Sequence, residues 1–205
     1  MTDNNRPARR KELILILGGV RGGKSSFAQS LARSMSESVT YIAPAEAGDE
    51  EMRRRIDEHR RSRPQSWRTI EEPLHPASAL LSAPETEVVV LDCMTLLASN
   101  LLLANEESAA AAEQAVDAEV TALLQAYEKG AATFIIVSNE VGMGVVPPYE
   151  LGRVYRDLLG RANQRVARAA DRVYWMLSGL PIEVKASGIA ENTPGLGTSL
   201  PPAPS

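Results

Sequence analysis

The chain has 205 residues, 44% of them hydrophobic, enough to bury the core of one α/β domain. Its net charge of −4 argues against broad nucleic-acid binding, and its single cysteine, Cys93, excludes an internal disulfide and fits a reducing compartment. No apolar run approaches the roughly 20 residues needed to span a bilayer, and no long apolar segment comes after the basic opening, so a soluble cytoplasmic protein is expected.

Residues 1–11 read as a polar, disordered arm. "LILIL" (13–17) then predicts a buried strand, and it leads into the most informative stretch of the chain. In "GGVRGGKS", Gly18, Gly23, Lys24 and Ser25 satisfy G-x-x-x-x-G-K-[ST], preceded by a strand and succeeded by a helical pattern. Glycines there let backbone N–H groups curl around phosphate oxygens, and the helix opening near Lys24 presents its positive end to the same phosphates. The nucleotide-binding loop therefore comprises Gly18, Gly19, Val20, Arg21, Gly22, Gly23, Lys24 and Ser25. Lys24 is placed on the β- and γ-phosphates as a catalytic charge, and Ser25 on Mg²⁺.

"VTYIA" (39–43) predicts the second strand. Beyond it, "RRRIDEHRRSRP" (53–64) sets His59, one of only two histidines, among six arginines. Taken alone, the segment has two readings: a solvated helix face with interleaved acids, or a phosphate-holding surface around a reactive imidazole. The other histidine, His75, falls in a predicted turn and receives no role.

"VVVLD" (88–92) is a third strand, and Asp92 at its carboxyl end is the expected second partner of Mg²⁺. Apolar residues at helical spacing mark residues 108–128, and "TFIIVS" (133–138) is another buried strand. It runs into "SNEVG", which lacks the N-K-x-D element that would read guanine in a GTPase. Leu151, Val154, Tyr155, Leu158, Ala162 and Val166 outline a second long helix. "RVYWMLS" (172–178) and "IEVK" (182–185) are strands around the turn "SGLP" (178–181), which makes one of them antiparallel. Residues 186–205, rich in Gly, Pro and Ser, read as a disordered tail. The expected architecture is one domain, residues 12–185. It is a P-loop NTPase-like, doubly wound α/β fold with a mostly parallel sheet flanked by helices and an antiparallel strand near the C-terminus.

Four segments in order resemble one family: "GGVRGGKS", "YIAPAEAGDEEMRRRIDEHRRSRPQSWRTIEEP", "LDCMTLLASNLL" and the long run from "SNEVGMGVVPP" through "GRANQ" to "IEVK". The family is that of bifunctional adenosylcobinamide kinase / adenosylcobinamide-phosphate guanylyltransferases of cobalamin biosynthesis. The resemblance spans residues 18–185 and departs where Gly22 stands in place of a usual serine and Asp92 where some members carry Glu. It implies phosphorylation of adenosylcobinamide by ATP or GTP. It then implies transfer of GMP from GTP to adenosylcobinamide phosphate, releasing pyrophosphate and passing through a guanylyl-histidine intermediate.

The resemblance assigns that intermediate to His59. It also implies nucleotide contacts from Arg60, Arg61, Ser62, Arg63 and Glu71, and from Ala43, Pro44 and Ala45 at the end of the second strand. Arginines near His59 suit the chemistry, since they disfavour the imidazolium and offset triphosphate charge. The family implies a homo-oligomer, expected to be a trimer. Asn139 and Glu140 have two readings, as substrate contacts or as strand-end residues of a satisfied polar network, and Asn163 and Gln164 are either substrate contacts or helix-surface residues. Alternatives to the whole are a P-loop small-molecule or nucleotide kinase without guanylyl transfer, and a nucleotide-binding switch without turnover.

Overall fold

A computed structural model describes residues 10–45, 60, 63–82 and 85–186. The predicted arm and tail fall outside these residues apart from their inner ends.

Seven strands form a single sheet in the order β3-β2-β4-β5-β1-β6-β7. They are β1 (Leu13–Gly18), β2 (Val39–Ala43), β3 (Arg68–Glu71), β4 (Val88–Asp92), β5 (Thr133–Val137), β6 (Arg172–Leu177) and β7 (Leu180–Lys185). All neighbours are parallel except β6 and β7. The central strands are apolar at nearly every position because both faces of the sheet are covered. Along β1, Leu13 and Leu15 join one core, while Ile14 and Ile16 join the other. Helix α1 (Lys24–Met35) covers the second of these faces with Ala28, Ala32 and Met35. The opposite face carries α3 (Met94–Ala104), α4 (Ala109–Lys129) and α5 (Glu150–Ala169), through Leu97, Val120 and Leu159 among others.

The predicted fold class is what the structure has, with three additions. β3 is a parallel edge strand, short and half-exposed, so it lacks the apolar run that reveals a strand. Helix α2 (Pro76–Leu81) is a six-residue piece whose Ala77 N–H donates to the buried Glu119 carboxylate of α4 at 2.8 Å. Helix α3, "MTLLASNLLLA", is apolar nearly all round and so shows no amphipathic period.

The turn predicted at 178–181 is shorter than expected. Ser178 (φ 51°) and Gly179 (φ 86°) alone reverse the chain, and Leu177 pairs with Leu180. Positive φ at both central residues is the type I′ signature, whose twist matches that of the flanking strands. β7 therefore begins two residues earlier than read from sequence, and its Pro181 is tolerated because the strand lies at the sheet edge.

Lys11 fastens the entry to β1. Its ammonium donates to the carbonyls of Tyr127, Glu128 and Gly130 at 2.9, 2.8 and 2.9 Å, closing the C-terminus of α4. Asp171 does the same from the other side, accepting from the Leu13 N–H at 2.8 Å and the Tyr127 hydroxyl at 3.0 Å.

Candidate active site

The phosphate loop leaves β1 at Gly18 and enters α1 at Lys24. Gly18 has φ 150°, and a Cβ there would lie 2.6 Å from the Met176 carbonyl oxygen of β6, so only glycine fits. Gly22 N–H donates to Gly19 O at 3.1 Å, closing a tight turn, and Gly22 O accepts from Gly179 N–H at 3.2 Å. The loop thus rests on the tip of the β6–β7 hairpin. Gly23 (φ 87°) precedes α1 without a side-chain cap, and the first helical bond runs from Phe27 N–H to Gly23 O. The N–H groups of the first turn are therefore not consumed within the helix, which is the arrangement that receives an anion.

Lys24 is 7% exposed, and its ammonium donates to Gly19 O at 2.7 Å, folded back over the loop. Burial lowers its pKa from the ordinary 10.5, an effect opposed by Cys93 and Asp92. Asp92, the expected metal partner, is one of the charges that oppose this lowering. Asp92 accepts a short hydrogen bond from the hydroxyl of Tyr41, which is fully buried in β2 and also hydrogen-bonds Gln29 of α1. Burial first, then the Asp92 charge, pushes the Tyr41 phenol well above its ordinary value, so it stays a donor. The Arg63 guanidinium lies 3.8 Å from the centre of the Tyr41 ring.

Magnesium asks for few protein ligands, all oxygen, and takes the rest from phosphate and water. The half-buried Ser25 at the start of α1 and Asp92 at the end of β4 offer that donor set. Among the described residues no cluster of three or more His, Cys, Asp or Glu competes as a metal site.

A second group of predicted residues converges at the ends of β2 and β3. Ala43 pairs with Glu71 in the sheet, and Ala43 O accepts from Glu72 N–H at 3.2 Å. Asn100 of α3 donates to Pro44 O at 2.9 Å and Pro73 O at 3.1 Å, fixing both chain exits. Arg60 lies 3.4 Å from Glu71 as an exposed ion pair. The structure therefore brings Ala43, Pro44, Ala45, Arg60, Arg63 and Glu71 to one side of Asp92. His59, Arg61 and Ser62 lie outside the described residues.

Sequence reasoning missed Tyr41, Gln29 and Asn100. Only Asn100 carried a signal, an amide on an otherwise apolar helix. His75, given no role, has Nδ1 3.6 Å from the Glu119 carboxylate. Gln164 is exposed on α5, whereas Asn163 is 6% exposed and donates to Asn139 O at 3.0 Å.

A glycine loop at the end of a central parallel strand, an uncapped helix, a buried lysine and an aspartate at a nearby strand end define a P-loop nucleotide-binding enzyme domain. The profile of the family described as "Cobinamide kinase / cobinamide phosphate guanyltransferase" matches residues 14–184, and the chain belongs to that family. It is 46% identical over 172 residues to the bifunctional adenosylcobalamin biosynthesis protein CobP of Pseudomonas aeruginosa, covering 83% of this chain and 96% of that protein. It is also 41% identical over 182 residues to the bifunctional adenosylcobalamin biosynthesis protein CobU of Escherichia coli, and 39% to that of Salmonella typhimurium. Both alignments cover 84% of this chain and 99% of the relative.

Proposed function

We propose that the chain phosphorylates the terminal hydroxyl of adenosylcobinamide and then joins GMP to the new phosphate. The observation that carries this reading is the intact phosphate loop, with Lys24 buried over it and Asp92 beside it, in a chain of this family.

In the first reaction the loop N–H groups and Lys24 hold the β- and γ-phosphates of ATP or GTP, so that the acceptor oxygen meets the γ-phosphorus in line. Ser25 and Asp92 would hold Mg²⁺, which when bound would supply charge neutralisation along the phosphate chain. In the second reaction a neutral ring nitrogen of His59 displaces pyrophosphate from the α-phosphorus of GTP, leaving a guanylyl-histidine. The phosphate of adenosylcobinamide phosphate then displaces the histidine, giving adenosylcobinamide-GDP. Arg60, Arg61, Ser62 and Arg63 contact the nucleotide, as do Glu71 and the turn of Ala43, Pro44 and Ala45. Arg63 is positioned by its stacking on Tyr41.

The working unit is a homotrimer in the cytoplasm, a reading that rests on the family resemblance. Self-association is also supported by the exposed apolar row Leu180, Ile182 and Val184 on the edge strand. A reducing compartment accords with the lone Cys93, and no described helix is long and apolar enough to cross a membrane.

Incubation with α-labelled GTP and subsequent denaturation tests the reading. Covalent, acid-labile label is expected. Label that washes away, with phosphorylation of cobinamide intact, would reduce the protein to a simple kinase, and no turnover at all would leave a nucleotide-binding switch.

A further inference from the structure

β5 lies between β1, which ends in the phosphate loop, and β4, which ends in Asp92. Val137 pairs with Ile16 on one side and with Asp92 on the other. Residues 138–140 therefore leave the sheet between the two elements that would hold the phosphates and the metal. The Ser138 N–H donates to Ile16 O at 2.9 Å and the Glu140 N–H to Gly18 O at 3.2 Å, which ties this exit to the loop itself.

The backbone of Asn139 is gripped at both polar groups by side chains. Its N–H donates to Thr95 Oγ1 of α3 at 2.8 Å, and its carbonyl accepts from Asn163 Nδ2 of α5 at 3.0 Å. Thr95 is 9% exposed and Asn163 6%, and Tyr155 braces the pair by donating to Thr95 O at 3.2 Å. The half-buried side-chain amide of Asn139 makes no hydrogen bond of its own among the described residues. Two buried atoms beside it, Ser138 Oγ and Asn163 Oδ1, also lack partners. Orphaned polar atoms at a strand end are expensive in a packed interior and signal a ligand or ordered water. A short strand exit does not need side-chain clamps from two helices unless the direction of one residue matters.

We propose that Asn139 is a catalytic residue of the phosphorylation step, donating its amide N–H to an oxygen of the transferring γ-phosphoryl group, and that Asn163 is the residue that positions it. During transfer the acceptor oxygen bonds to the γ-phosphorus and the bond to the β–γ bridging oxygen breaks. The electron pair leaves with the nucleoside diphosphate, and the hydroxyl proton passes to water. The amide changes neither charge nor protonation. It is one more dipole where negative charge is redistributed, carried on a backbone held in place before the nucleotide arrives.

The inference rests on the kinase reading. Its test is steady-state phosphorylation of adenosylcobinamide by the full chain, with melting temperature as a check on folding. For Asn139→Ala, kcat should fall roughly 100-fold, the loss typical of one preorganised donor, while KM for the nucleotide stays within about threefold. Asn163→Asp keeps the shape but cannot donate to Asn139 O, so kcat should fall at least about tenfold. The double variant should be no slower than Asn139→Ala, because Asn163 acts through Asn139. A kcat for Asn139→Ala within about threefold of wild type overturns the proposal. So does a double variant whose losses multiply, since Asn163 then works independently of Asn139. Should Asn139→Ala fold poorly, Asn139→Ser carries the same expectation. A wild-type protein that does not phosphorylate cobinamide removes the kinase reading and this inference together, whereas active wild type with unaffected variants removes only the inference.

Discussion

Lys24 is the residue proposed to carry most of the phosphate chemistry. Its ammonium is desolvated and held 2.7 Å from a loop carbonyl, so nucleotide can take over a contact already made rather than recruit a mobile side chain. Lys24→Ala should reduce cobinamide phosphorylation at least about 100-fold, through loss of a fixed positive charge at the β- and γ-phosphates. Turnover within about threefold of wild type would remove Lys24 from the chemistry. His59 has a separate expected phenotype. Asn keeps roughly the size and polarity of His but no nucleophilic nitrogen. His59→Asn should therefore lose covalent GMP and guanylyl transfer to background, while phosphorylation of cobinamide survives. Equal loss of both activities, measured in parallel assays, would make His59 an organiser of a shared site. Both assignments come from sequence alone, because a short pattern and a family resemblance each fix a residue type at a numbered place. Tyr41 was not legible there, since a buried tyrosine in a strand looks like any core aromatic until its hydroxyl is seen on Asp92.

The β6–β7 hairpin shows how an element far from the motif shapes it. Its tip donates to the phosphate loop, and Arg172 and Glu183 brace its strands through a hydrogen-bonded ion pair of 2.6 Å. The hydrogen bond from Arg172 holds the Glu183 carboxyl below its ordinary 4.5. A folded pKa below the unfolded one gives stabilisation that is complete above the unfolded value and is lost as pH falls through the folded one. Glu183→Gln should thus be less stable than wild type at pH 7, by no more than about 1 kcal/mol because both side chains meet solvent. Denaturation curves for the two proteins should converge as pH drops below about 4.5. A gap that persists unchanged into acid would mean the glutamate acts through packing. Elements were legible in proportion to their burial pattern: β1, β4 and β5 announce themselves as apolar runs. β3 and α3 did not, because an edge strand has too few apolar residues to form a pattern and a helix apolar nearly all round has too many.

At the scale of the molecule, alternation of strands and helices predicted a parallel sheet, but not its order, which depends on long-range pairing that local pattern does not encode. The bounds read from composition carry one further expectation. Removing residues 190–205 should leave melting temperature and both activities nearly unchanged, since that stretch offers little apolar area to bury. A large fall in melting temperature would show that the segment docks. The pairing order also has a temporal meaning. β1 is flanked by β5 and β6, both from the second half of the chain, and the loop after it leans on the turn at Gly179. On the ribosome, the phosphate-binding motif is translated before the two strands that flank β1 and before the hairpin that supports the loop. A nascent chain that has not released residues 172–185 has the motif without the strand and turn it leans on, and nucleotide in the cell has no finished site to occupy. Nucleotide can stabilise only the finished domain, so premature termination anywhere before the hairpin yields a chain that ligand cannot rescue.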